Sequence, residues 1–286
     1  MKKYLITGII LIFLMIILGY IVFFTKEVDD VAENGPIQSQ IISKIDQIPL
    51  FEGMLAASIS WDFDKDRFFI STDQPHGLFT DKIASFYVAN DSLDKIIYKK
   101  DLVTDGDLEG VAYIGEAEVA IISEVGTLYF LKEIGDEWEV TNKVSIFNGN
   151  GKHKLSSLAY DPVNKRLYSA EKKGRKIIYQ ISRDGNLLNS FEFDVGDVVT
   201  KREFSMNKDY TIAGMAFDNQ HLFIFSEAYS TIFKYNPEDK QLTAVFGIKN
   251  IHESAGITLK NGIVYLVGDF EDYLPAPNFY KVKLPE

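Results

Sequence analysis

An acidic residue recurs at a regular distance in this chain, and its chemistry is that of a ligand for a hard cation. Each acid stands 12 to 14 residues after the central apolar residue of a repeated five-residue motif, which is described below. The five positions are Asp73, Glu124, Glu171, Glu227 and Asp269. Ca²⁺ prefers oxygen ligands and tolerates irregular geometry. The sequence therefore predicts a calcium site at these acids, together with Glu109, which begins one copy of the motif, and Glu253, which lies shortly before another.

The same positions suit a binding surface for a protein or small molecule. We expect such a ligand to contact Glu109, Glu171, Glu227 and His252. Five carboxylates that lie close together repel one another unless a cation neutralises them. The alternative is structural: the acids accept backbone N–H bonds at turns, or face solvent in an acidic protein. The sequence leaves both interpretations open.

A metal-dependent hydrolase of the lactonase or phytase type is the second function class. A metal there would activate water or polarise an ester or phosphate, with a carboxylate as the base. A phosphate substrate also needs basic residues, and Lys172, Lys173 and Arg175 stand near an acid in one copy only. The four histidines show no metal-ligand spacing, and zero cysteines exclude thiolate chemistry. The binding module is favoured, and no catalytic residue is assigned.

The strands that must position these acids belong to a structural unit that is repeated along the chain. A five-residue pattern of small, small, apolar, small and aromatic residues recurs along the chain. The copies are Ala57–Trp61, Glu109–Tyr113, Ser156–Tyr160, Ala213–Phe217 and, ending in Leu, Ala255–Leu259. Their central residues are 42 to 57 residues apart. A period of this length is typical of propeller blades.

Each copy continues into a turn, a second apolar strand and, in most copies, further strands. The turns contain residues suited to tight reversals, as in Asp161–Asn164, Asp64–Asp66 and Asn261–Gly262. Four antiparallel strands repeated radially make a propeller blade. The sequence predicts an all-β fold with five blades, six being the alternative, and favours it over a β-sandwich. Residues 41–48 are candidates for the outer strand that closes the ring.

This topology places the acids together. The second strand of a hairpin returns antiparallel to the first, so its end lies beside the start of the first strand. The five acids should therefore surround one mouth of the central channel. The chain has 21 Phe and 15 Tyr, and we assign most of these rings to packing within the strands.

The N-terminus predicts a membrane anchor. Residues 4–24 are an uncharged, mostly apolar run, long enough to cross a bilayer as one helix. Lys2 and Lys3 precede it and acids follow it, which predicts a cytoplasmic N-terminus. The predicted organisation is an uncleaved transmembrane anchor at 1–26, a tether at 27–50 and an extracytoplasmic propeller at 51–286. A net charge of −11 argues against a nucleic-acid partner.

The blade motifs resemble those of the SdiA-regulated, YjiK-like family. The resemblance is carried by Asp107–Tyr113, Ser156–Asp161 and Ser254–Ile257, and extends over roughly residues 50 to 286. It implies a five-bladed propeller behind a membrane segment, a calcium site, a distant relation to NHL-repeat propellers, and no established activity. Glu109 alone matches the acidic position of the motif. The equivalent positions hold Ala57, Ser156, Ala213 and Ala255.

Overall fold

The structure of this chain is a computed structural model that is all β in the residues it describes. These are 37–38, 40–45, 55–72, 83–147, 153–172, 176–193, 211–227, 230–248, 251, 254–268 and 279–285. The strands are β1 (Ile37–Gln38), β2 (Gln40–Ile45), β3 (Ala56–Asp62), β4 (Arg67–Thr72), β5 (Ile83–Ala89), β6 (Ile96–Val103), β7 (Leu108–Gly115), β8 (Glu118–Ser123), β9 (Thr127–Ile134), β10 (Glu137–Ser145), β11 (Leu155–Asp161), β12 (Arg166–Glu171), β13 (Ile177–Ser182), β14 (Leu187–Glu192), β15 (Gly214–Asp218), β16 (His221–Ser226), β17 (Thr231–Asn236), β18 (Gln241–Gly247), β19 (Ser254–Lys260), β20 (Ile263–Gly268) and β21 (Phe279–Lys283).

These strands form five sheets, each of which is one blade built on four antiparallel strands. The orders are β3-β4-β5-β6, β7-β8-β9-β10, β11-β12-β13-β14, β15-β16-β17-β18 and β19-β20-β21-β2. The inner strands β3, β7, β11, β15 and β19 each contact the next, and β19 contacts β3. The prediction of a five-bladed propeller is confirmed, and the six-bladed alternative is wrong.

Two strands from the start of the described chain join blades that are formed mainly by its later part. β2 pairs antiparallel with β21 and so supplies the outer strand of the fifth blade. This is the closure that the sequence analysis considered for residues 41–48. β1 pairs in parallel with β18 at the outer edge of the fourth blade, which the sequence did not indicate. The N-terminal strands therefore link the fourth and fifth blades.

The predicted membrane span, residues 4–24, lies outside the described residues. Within the part of the chain that the structure describes, no helix has the length and apolar character needed to cross a bilayer. The anchor and the extracytoplasmic location therefore stay predictions.

The inner strands approach one another closely because small residues lie where they meet. A Cβ atom on Gly110 would lie 2.5 Å from the backbone nitrogen of Leu158 in the next blade. Elsewhere hydroxyl groups connect neighbouring inner strands: Ser58 Oγ accepts from Val111 N at 3.1 Å, and Thr258 Oγ1 accepts from Trp61 N at 3.2 Å. The small positions of the repeated motif thus bring the blades together around the channel.

The hydrophobic core lies between the faces of adjacent blades. Between the first two blades, the buried Trp138 ring packs at 5.1 Å from the Phe69 ring and 5.3 Å from the Phe86 ring. Arg67 also lies over the Trp138 ring, and its guanidinium binds Glu133 and Asp62. Most of the aromatic residues in the strands therefore do pack, as the sequence predicted.

Candidate functional site

One end of the central channel, where the inner strands begin, holds the described members of the predicted acid ring. We call it the acidic mouth, and its described acids are Glu109, Glu124, Glu171 and Glu227. The strand register shifts at the start of four inner strands, for example between Leu108 and Gly110 on β7. Such a bulge re-aims the side chain of the extra residue. Glu109 occupies this position on β7. Of the four described acids of the acidic mouth, it is the one that lies within an inner strand.

Glu109 is a buried carboxylate among charged neighbours. Its side chain is 13% exposed, and Oε2 lies 3.7 Å from Lys172 Nζ. Burial, followed by the negative charges of Glu124 and Asp107, raises the pKa of Glu109 to about 7, although Lys172 opposes the shift. Lys154 Nζ lies 3.5 Å from Glu124 Oε2 in the same cluster. Glu109 thus exchanges a proton near neutral pH, in a place that is short of positive charge.

Glu171 belongs to a second cluster within the third blade. Its Oε1 accepts a hydrogen bond from the Tyr179 hydroxyl at 2.6 Å and lies 2.8 Å from His153 Nδ1. His153 also stacks on Phe147 with ring centroids 4.2 Å apart. Burial, and next its hydrogen bond to Glu171, raise the pKa of Tyr179 well above its ordinary value. Glu171 therefore orients His153 and Tyr179 at the acidic mouth.

The structure does not place all the predicted ligands. Glu227 follows β16 at this end, is exposed, and accepts a hydrogen bond from Ser230 N through its backbone carbonyl. The other predicted positions, Asp73, His252, Glu253 and Asp269, lie outside the described residues. Among the residues that are described, no group of three or more histidine or acidic side chains has the arrangement of a metal site.

His153 and Lys154 are among the residues of the acidic mouth that sequence reasoning missed. Both precede the inner strand β11, as His252 precedes β19. His252 was selected because it precedes an inner strand, and His153 stands in the same position before β11. The sequence could therefore have identified His153 as well. Lys154 supplies a basic group that the sequence analysis did not identify there.

The opposite end of the channel, where the inner strands end, carries a cavity that sequence reasoning also missed. It has a volume of about 280 Å³ and is lined from all five blades. Its aromatic side chains are Trp61, Phe63, Tyr113, Tyr160 and Phe217, and we call this end the aromatic mouth. Four of these residues are in the repeated motif or end it, but the sequence analysis assigned most rings to packing.

The pKa of Glu109 predicts a pH-dependent stability. Because the folded-state pKa is about 7, above the ordinary 4.5, the folded protein binds this proton more tightly than the unfolded chain. Its stabilising contribution is complete below pH 4.5 and is lost as the pH rises through 7. Glu109→Gln cannot ionise, so near pH 8 it should be more stable than wild type by about 1–3 kcal/mol.

Urea unfolding of the wild type, Glu109→Gln and Glu139→Gln at pH 4.5 and 8 measures this difference. Glu139 is exposed on β10 and serves as the matched control. Equal stabilities of wild type and Glu109→Gln at pH 8 would contradict the raised pKa.

Comparisons with known proteins agree with this architecture. The model of a family described as SdiA-regulated matches residues 43–271. No curated protein matches the chain in sequence. A glutaminyl cyclase from Myxococcus xanthus has a similar structure, with a TM-score of 0.62 and 12% identity over 87% of this chain and 97% of that one. A chain of a nidogen/laminin complex has a TM-score of 0.49 and 14% identity, over 75% and 72%. At 12% identity the likeness to the cyclase concerns the fold alone.

Proposed function

Since the chain belongs to the SdiA-regulated family, we propose that it is a membrane-anchored, extracytoplasmic propeller that binds a ligand or partner protein through a calcium-dependent acidic mouth. The uncharged run at residues 4–24 supports the anchor, and Lys2 and Lys3 before it support the orientation. The binding role rests on the acidic mouth. The likeness to the cyclase concerns the fold, and the activity of the cyclase is not part of this proposal.

The observation that carries the binding role is the environment of Glu109. Burial and two neighbouring carboxylates, those of Glu124 and Asp107, raise its pKa to about 7. A bound cation lowers the electrostatic repulsion between carboxylates that lie close together in a partly desolvated site. Lys172 approaches Glu109 only to 3.7 Å, and its own side chain is 42% exposed. A bound cation would therefore compete with Lys172 for the Glu109 carboxylate.

Calcium is the cation that these donors suit by type, since all of them are oxygens. Glu109, Glu124 and Asp107 would be the candidate carboxylates. Buried hydroxyl groups add neutral oxygens at this end: Ser71, Ser226 and Ser254 have no hydrogen-bond partner for Oγ among the described residues. The described acids do not by themselves complete a metal site. The proposal therefore requires donors from Asp73, Glu253 or Asp269.

A calcium titration of the intact, purified chain tests this proposal. At pH 8, where Glu109 is ionised, Ca²⁺ at 100 times its dissociation constant should stabilise the fold by about 2.7 kcal/mol. At pH 5.5 the affinity should fall, because protons compete for Glu109. Glu109→Gln should lose the response, and the exposed control Glu139→Gln should keep it.

The heat of binding and the thermal midpoint are measured together, after the protein has been stripped of metal with a chelator. A wild-type protein that shows neither heat nor stabilisation removes calcium from the proposal. Binding that survives Glu109→Gln unchanged would place the ion elsewhere.

A hydrolase is the second candidate, and the ionisation of Glu109 near pH 7 favours it. A carboxylate with this pKa can accept a proton from water as the water attacks an ester or phosphate. Lys154 and Lys172 lie in the same cluster and would hold an anionic substrate. Turnover of lactone or phosphomonoester substrates that disappears in folded Glu109→Gln would support this role, and a wild type without turnover would end it.

A further inference from the structure

The aromatic mouth is a second site, and it stands independently of the acidic mouth at the other end of the channel. We propose that it binds a small organic cation, such as a quaternary ammonium group, with Asp218 as its counter-charge. The cavity of about 280 Å³ lies just below the ~300–1,000 Å³ typical of ligand pockets, which points to a small ligand.

Polar and ring contacts behind the cavity hold its aromatic side chains in place. Trp61 Nε1 donates to Asp66 Oδ1 at 3.1 Å. The Tyr113 hydroxyl donates to Asp64 and accepts from Ala117 N at 3.4 Å. The Phe63 ring meets the Tyr113 ring edge-on at 5.0 Å. Because these contacts hold the rings in place, little order has to be created on binding.

Phe217 is held in the same way from the neighbouring blade. Its ring stacks on the buried Tyr168 ring, with centroids 5.9 Å apart and planes 7° from parallel. Tyr168 lies in the second strand of the third blade, β12, so the support comes from outside the blade of Phe217. Phe63, Tyr113 and Phe217 are thus held by contacts that reach across blades, and Trp61 by a contact within its own hairpin.

The charge of the cavity selects a cation. Asp218 is exposed and is the one acidic side chain in its described lining, and none of the described lining side chains is cationic. Two basic groups beside lining residues, Arg183 near Tyr160 and Lys260 next to Leu259, are already paired. Arg183 binds Glu118 at 3.0 Å, and Lys260 binds Asp66 at 2.5 Å. An anion in this lining would therefore meet a carboxylate and aromatic rings, with no cationic side chain among the described lining residues.

Aromatic rings attract cations through their quadrupoles, by about 0.5–2 kcal/mol per favourable contact, and groups of rings recognise quaternary ammonium ions in this way. A carboxylate at the rim adds long-range attraction. A neutral sugar could stack on the rings but would gain nothing from the charge of Asp218. An organic cation therefore suits several fixed rings and a single carboxylate better than a neutral sugar does.

Calorimetric titration of the intact protein with choline tests this proposal. The control ligand is 3,3-dimethyl-1-butanol, which has the same shape with carbon in place of the charged nitrogen. Choline should bind at least about tenfold more tightly than this alcohol. Glucose is the neutral ring-shaped probe and should give no saturable heat.

Two variants remove one recognition element each. Asp218→Asn removes the rim charge, and Phe63→Ala removes a ring that is 50% exposed, so neither is expected to prevent folding. Each should weaken choline binding about three- to tenfold. Leu188→Ala, an equally exposed apolar residue on the outer strand β14, is the matched control and should not change it.

Four results would overturn the proposal. Three of them are equal affinity for choline and the uncharged alcohol, no saturable heat with choline up to about 10 mM, and unchanged choline affinity in both Asp218→Asn and Phe63→Ala. Tighter binding of glucose than of choline would also overturn the proposal, because the ligand would then be a carbohydrate.

Discussion

Gly110→Ala is expected to destabilise the propeller by about 3 kcal/mol. The new Cβ would lie 2.5 Å from Leu158 N and 2.7 Å from the Ser157 carbonyl carbon, which belong to the inner strand of the next blade. Backbone atoms cannot move aside as a flexible side chain can, so β7 and β11 must separate. Because Gly110 follows Glu109, this separation should also disturb the acidic mouth.

Urea unfolding of the intact protein measures this loss, with Gly106→Ala as the matched control. A Cβ on Gly106 would meet Glu124 Cγ at 3.0 Å, a side-chain atom that can move. The control should therefore cost about 1 kcal/mol or less. If Gly110→Ala is no less stable than Gly106→Ala, the close approach of the inner strands is not a strict packing constraint.

Trp138→Ala should lower the free energy of unfolding by about 3–5 kcal/mol. The ring is 1% exposed and fills the space between the first two blades, against Phe69 and Phe86. Its removal leaves a cavity between two sheets that other contacts hold apart. It also removes the ring over which the Arg67 guanidinium lies at 5.4 Å.

Val140→Ala on the same strand is the control for this second variant. Its side chain is 43% exposed, so its truncation should change the free energy of unfolding by about 0.5 kcal/mol. Comparable losses in the two variants would show that the interface between the first two blades tolerates a cavity. Phe at position 138 should recover part of the lost stability, because it refills most of the volume.

The blade repeat was predictable because each of its features is local. The small residues of the motif, the turn at Asp161–Asn164 and the alternation in the following strand all depend on neighbours within one hairpin. In the structure Asp161 Oδ1 accepts from Val163 N at 2.9 Å and Asn164 N at 3.0 Å, as expected for such a turn. Five copies of one hairpin leave a radial arrangement as the consistent solution.

The pairing of β1 with β18 was not predictable on the same grounds. Ile37–Gln38 and Phe246–Gly247 are brought together by ring closure, and neither segment carries a local signal for the other. The outer strand β2 was foreseen only as a possibility, because the last blade lacks a fourth strand of its own. Both pairings join strands that are far apart in sequence, so they depend on the positions that the fourth and fifth blades take in the folded ring.

The sequence determined at which end of the channel Glu109, Glu124, Glu171 and Glu227 lie, since strand direction alone places them there. Tertiary structure decided what each of them does. Glu171 is bound to Tyr179 and His153, whereas Glu109 is buried beside Glu124 with a raised pKa. The same division holds at the aromatic mouth, where the motif supplies the rings and packing across blades leaves them around a cavity. The physical reason is that residue type and strand direction are local properties, while burial and charge environment arise only where different blades meet.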